Sequence, residues 1–140
     1  MTDVKQLQEK YVNYQMMEKQ LQAAQEQLQK MDQQILELKS ITSDVKGIST
    51  TETNKELLVP MSGGIFVKAK LDDNQKFLVN VGSSVVVEKD VKQTTELLNA
   101  QVREIESLRM EVLSQFHQLV QKSQDAEQEL KELVEKVENV

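Results

Sequence analysis

Few side chains in this sequence could do chemistry. There is no cysteine, which excludes thiolate nucleophiles, thiolate metal sites and disulfides. The one histidine, His117, cannot form a multi-histidine metal site within one chain. It sits beside Phe116, one position past an apolar stripe, and reads as an exposed or interhelical side chain. Gly63-Gly64 could open a phosphate cradle, but neither Lys-Ser/Thr nor a helix follows, so a hairpin turn is the simpler reading. Asp72-Asp73-Asn74 has the look of a calcium-loop start, yet no Gly or Glu follows at the required spacing and its flanks are strand-like. With no nucleophile–base pair and no cofactor loop, the sequence predicts a non-enzyme with no cofactor and no metal.

Charge and hydropathy remove further classes. A net charge of −6 argues against a nucleic-acid or anionic-membrane binder, since both need a basic surface. No apolar run approaches the ~18 residues of a membrane span. Met1-Thr2-Asp3-Val4-Lys5-Gln6 is not a basic region followed by an apolar stretch, so the expected compartment is the cytoplasm. Aromatic residues are only 4% and Gln fills 18 of 140 positions, thin material for a globular core. The apolar residues are instead periodic.

The helix breakers define the elements. Gly47, Gly63, Gly64, Gly82 and Pro60 all fall between 47 and 82. Gly costs ~1 kcal/mol and Pro ~3 in a helix interior, so residues 1–46 and 90–140 read as helices. In the first, Tyr14, Met17, Leu21, Ala24, Leu28, Met31, Ile35, Leu38, Thr42 and Val45 alternate steps of three and four, a coiled-coil seam. Upstream, Lys10 conflicts with apolar Val4 and Tyr11, so the seam is expected to loosen or shift there. Gly47, behind Lys46, suits a glycine cap. In the second helix, Val91, Leu98, Ile105, Val112, Leu119, Ala126, Leu133 and Val140 recur every seven residues. Their companions are mixed: Thr95, Val102, Arg109, Phe116, Ser123, Leu130 and Val137. Asp90 with Gln93 forms a capping-box pattern. Two helices of matched length should fold back as an antiparallel coiled coil, with the chain termini together.

A polar linker (47–55) precedes a centre, 56–89, where the period changes to two. Its runs, Glu56–Met61, Ile65–Leu71, Lys76–Val81 and Ser84–Lys89, are joined by Ser62-Gly63-Gly64, Asp72-Asp73-Asn74-Gln75 and Gly82-Ser83, all turn chemistry. Two β-hairpins follow, a small sheet with apolar residues on both faces. Alone it would leave a face wet and two edges open, so other chains should complete it. The centre is expected to be an oligomerisation platform using Leu58, Val59, Ile65, Val67, Phe77, Val79, Val81, Val85, Val86 and Val87.

The stretches Leu58-Val59-Pro60-Met61-Ser62-Gly63-Gly64-Ile65-Phe66-Val67-Lys68-Ala69 and Val79-Asn80-Val81-Gly82-Ser83-Ser84-Val85-Val86-Val87-Glu88-Lys89 give this pattern a familiar form. The chain resembles the α-class subunit of prefoldin, an ATP-independent co-chaperone of archaea and eukaryotes, over essentially its whole length. Ser84 departs from the Gly-x-Gly spacing frequent in the family. The resemblance implies a mainly α fold: a long two-helix coiled coil joined by two hairpins that complete an intersubunit β-barrel. It implies a hexamer of two α-class and four β-class subunits. It also implies a holdase whose coiled-coil tips capture unfolded polypeptides and deliver them to a group II chaperonin.

Candidate client contacts lie in the terminal segments: Val4, Leu7, Tyr11, Val12, Leu130, Leu133, Val134, Val137 and Val140. Most could simply close the last coiled-coil turns. Val4, Tyr11, Val12 and Val134, off the seam or out of register, are the best candidates for exposure. Met16-Met17 could add adaptable surface. The acidic stretch Asp125–Glu138 reads as a solvated helix face, with repulsion of anionic partners or contact to a basic chaperonin surface as the second reading. The alternative function is a structural coiled-coil spacer or filament-forming assembly protein, which should keep strict register to the chain ends.

Overall fold

The computed structural model describes residues 2–139, so Val140 lies outside it. The element order is α1 (Thr2–Ser49), β1 (Glu56–Pro60), β2 (Phe66–Lys70), β3 (Lys76–Gly82), β4 (Val85–Asp90) and α2 (Val91–Glu138). The expected fold class, two long helices joined by two hairpins, is the observed one. The chain divides into two units, Met1–Gln34 with Ile105–Val140, and Ile35–Glu104.

In the first unit the two helical segments run antiparallel. Asp3 meets Lys136, Lys10 meets Glu129 and Asp32 meets Arg109, so numbers fall along one helix as they rise along the other. The inward positions of α1 here are Asp3, Leu7, Lys10, Tyr14, Met17, Leu21, Ala24, Leu28 and Met31. Those of α2 are Ile105, Arg109, Val112, Phe116, Leu119, Ser123, Ala126, Leu130, Leu133 and Val137. Steps of three and four alternate in both sets, as a 3.5-residue seam requires. The mixed companion row of α2 is therefore half of its seam. Arg109 fits there by sending its guanidinium outward to Asp32, with Nε 2.7 Å from Oδ1 and Nη2 3.4 Å from Oδ2.

The expected loosening before Tyr14 does not occur. The seam keeps its spacing to Asp3 and admits Lys10 and Asp3, while Val4 and Tyr11 stay outside. Ion pairing explains this: the Lys10 ammonium lies 2.8 Å from Glu129 and that of Lys136 3.9 Å from Asp3.

In the second unit, Ile35, Val45, Leu98 and Val102 are buried, together with Thr94, whose hydroxyl donates to the Asp90 carbonyl at 2.7 Å. Gly47 is not the cap expected of it. Helix α1 continues to Ser49, and hydroxyls take over the end. Thr50 and Thr51 each donate to the Gly47 carbonyl at 2.9 Å, and Ser49 donates to that of Lys46. These bonds occupy carbonyls that a helix end leaves without partners. The start of α2 carries the expected capping box: Gln93 N–H donates to Asp90 Oδ1 at 2.7 Å, and Asp90 N–H to Gln93 Oε1 at 3.1 Å.

The four strands form two separate two-stranded sheets, not one. In the first, Leu57 and Val59 oppose Ala69 and Val67, and Leu58 and Pro60 oppose Lys68 and Phe66. In the second, Phe77 and Val79 share a face with Lys89 and Val87, and a register shift between Asn80 and Gly82 marks a bulge. Ser83 and Ser84 both have positive φ, 50° and 61°, as a two-residue hairpin turn of mirror-image type demands. The tight turn is thus Ser83-Ser84, one residue later than the Gly82-Ser83 connection expected, and built without glycine at either central position.

Two stability measurements follow. Asp90→Ala should lower stability by about 1 kcal/mol through loss of the cap, seen as a reduced urea midpoint. A Cβ at Gly47 would meet nothing within 4 Å. Gly47→Ala should accordingly raise stability by roughly 0.5–1 kcal/mol.

Candidate functional site

The terminal turns of the first unit hold an open groove of about 610 Å³ with an apolar floor. Leu7, Tyr11, Leu130 and Val134 form the floor, and Gln8, Glu127, Lys131 and Glu135 the rim. Heptad geometry explains the grouping. Leu7 and Leu130 are seam residues, with Leu130 only 9% exposed. Tyr11 and Val134 each lie four residues further along the same helix face, on the flank where the two helices border each other. Elsewhere in this unit, that flank of α1 is occupied by Glu18, Gln25 and Asp32. Only the end carries apolar residues there on both helices.

Of the expected tip residues, the groove unites Leu7, Tyr11, Leu130 and Val134. Leu133 and Val137 are half-buried seam residues. Val4, 46% exposed, occupies the same heptad position as Tyr11 one repeat earlier. Val12 is exposed too, but it lines a different depression with Gln8, Glu9 and Asn13. Sequence reasoning did not identify the rim. The spacing of four does pair Glu127 with Lys131 in the sequence, and Lys131 lies 3.8 Å from Glu127, but spacing alone does not mark them as a rim. Tyr14 closes the inner end of this segment. The Glu18 carboxylate beside its hydroxyl, with partial desolvation, raises its pKa above the usual 10.0.

A second surface lies on the hairpins. Leu58, Val59, Met61, Ile65, Phe66, Val67, Val81, Val85, Val86 and Val87 are all exposed, and Leu78 reaches 78%. Phe77 and Val79 differ: they are half-buried and border, with Ile41, Val45, Leu97 and Leu98, a cavity of about 300 Å³. So much apolar area on strands with open edges is characteristic of an interface.

Among the described residues no three His, Cys, Asp or Glu side chains cluster to hold a metal ion. His117 is exposed, its ring 6.1 Å from that of Phe116. No helix among the described residues is long and apolar enough to cross a membrane.

Comparison with known proteins agrees with this architecture. Residues 4–136 match the Prefoldin family profile, described as prefoldin subunit. The prefoldin subunit alpha of Thermofilum pendens is 31% identical over 115 residues, covering 82% of this chain and 84% of the relative. That of Archaeoglobus fulgidus is 27% identical over 130 residues, covering 93% and 95%. A chain in a cryo-EM structure of filamentous PFD from Methanocaldococcus jannaschii superposes with a TM-score of 0.73 at 19% identity, covering 80% of this chain and 93% of that one. The heptad arms, the paired hairpins and these relatives lead to one assignment: the chain belongs to the prefoldin family and is similar to its α subunits.

Proposed function

We propose that this chain is a subunit of an ATP-independent holdase: the hairpins assemble it with other subunits, and the helix ends capture unfolded polypeptides for delivery to a group II chaperonin. The observation that carries the reading is the apolar groove at the helix ends, the one stretch of arm where apolar side chains crowd the flank of both helices. A shallow floor of Leu, Tyr and Val suits weak, sequence-tolerant contact with apolar segments of a client. The platform reading rests on the uncovered hairpin residues. Two α-class chains with four one-hairpin β-class chains would supply sixteen strands, enough for two closed eight-stranded barrels without free edges. A second reading, a filament-forming or spacer protein, draws on the fold shared with the filamentous PFD chain. Unbroken seam spacing to Asp3 also suits a spacer, but the apolar groove has no use in one.

Mass measurement after mixing with a one-hairpin subunit separates a hexamer from an open-ended polymer. Val79→Asp or Val86→Asp, one on each sheet face, should disrupt the oligomer while helix content stays near wild type, because a charge buried in a closed sheet costs several kcal/mol. If both variants assembled normally, the hairpins would not be the platform.

Capture is tested by light scattering of a denatured client without nucleotide. Replacing Val4, Tyr11, Val12 and Val134 by Ser should leave assembly intact. At ~25 cal/mol per Å² the lost apolar area weakens capture by about 1–2 kcal/mol, roughly tenfold. Removal of residues 1–12 and 131–140 should abolish most suppression. Full suppression by the truncated assembly would place the client elsewhere.

A further inference from the structure

The end of α1 encodes two seams, and the structure adopts the more polar one. In the observed packing the inward residues are Asp3, Leu7, Lys10 and Tyr14. Val4, Leu7, Tyr11 and Tyr14 also alternate three and four, and all of these are apolar. Leu7 and Tyr14 belong to both sets. Rotating α1 by about 50° about its axis, half of the ~100° between successive residues, exchanges Asp3 and Lys10 for Val4 and Tyr11. On helix α2, Val134 can replace Leu133 between Leu130 and Val137, and the same shift carries Glu127 in place of Ala126 at the inner limit of the segment. The ambiguity is confined to this end. From Met17 inward, the residues that would enter an α1 seam so rotated are Glu18, Gln25 and Asp32.

We infer that the ion pairs Lys10–Glu129 and Asp3–Lys136 form a clasp that selects the polar seam and so holds Val4, Tyr11 and Val134 in solvent. Burial of apolar area favours the rotated seam. What opposes it at this end is the pair of cross-helix contacts, at 2.8 and 3.9 Å. Both are partly exposed, so salt screens them and leaves burial nearly untouched. High ionic strength should therefore withdraw the apolar stripe and low ionic strength present it. The device is a salt-responsive switch in what the arm displays, and its test requires no client.

The chain carries its own probe. Its only tyrosines are Tyr11 and Tyr14, and it has no tryptophan. In a Tyr14→Phe background, fluorescence arises from Tyr11 alone, which is 54% exposed in the clasped state. Acrylamide quenching is measured on the purified full chain from about 0.01 M to 1 M salt, which shortens the Debye length from about 30 to 3 Å. The quenching constant should at least halve with rising salt while helical circular dichroism holds. Adding Lys10→Gln and Lys136→Gln should give the low value at every salt concentration. Adding Val4→Ser and Val134→Ser instead should abolish the response, because the rotated seam then loses its apolar advantage. A quenching constant that is flat in salt, or that rises with salt or with loss of the lysines, would overturn the clasp.

Discussion

A pair of helices can bury only one stripe of each. That constraint governs the rest of the molecule. Among the described residues no large side chain falls below 2% exposure, and the most enclosed, such as Val102 and Val45, lie on the seam. Every apolar residue off the stripe is surplus to the fold of the chain by itself. Such residues are most numerous on the hairpins; others lie near the helix ends, and Leu36, Ile41, Leu108 and Met110 lie singly along the arms. The seam thus holds the helices, and the surplus stays exposed.

The seam was legible because its spacing is arithmetic. Ten positions from Tyr14 to Val45 fix the face of α1 without any knowledge of its partner. The capping box was legible for the same reason, since Asp90 and Gln93 sit three apart ahead of an apolar row. The end of α1 was harder. Sequence reading equates apolar with inward, and there the apolar residues point outward because two lysines find acidic partners on the other helix. Those partners, Glu129 for Lys10 and Asp3 for Lys136, are more than a hundred positions away in sequence, and no local pattern announces them.

Gly47 misled in a different way. A glycine behind a lysine near a helix end is ordinarily a left-handed cap. Here the following Ser49, Thr50 and Thr51 supply hydroxyls that bond the last carbonyls, so no reversal at the glycine is needed. The hairpins themselves were readable from alternation and turn residues, but not their separation into two sheets. Strand pairing between hairpins depends on what lies along their edges, and a single chain does not contain that information. The groove was half legible. Its floor follows from apolar residues near both ends of the chain, whereas its rim of Glu127, Lys131 and Glu135 looks like any solvated helix face.

The junction at Asp90 has a consequence for how such a chain can change length. This residue ends β4, paired with Lys76, and also caps α2, so strand passes to helix with no intervening residue. The pleat of the strand therefore fixes the rotational phase of α2. One inserted residue there would turn the entire helix by about 100° and carry its stripe off the partner. Between Ser49 and Glu56 the chain has irregular residues that can absorb an insertion. Within the helices themselves only insertions of seven preserve the phase. Length variation in chains of this design should therefore gather in the connections between elements other than this junction and, within the helices, come in whole heptads.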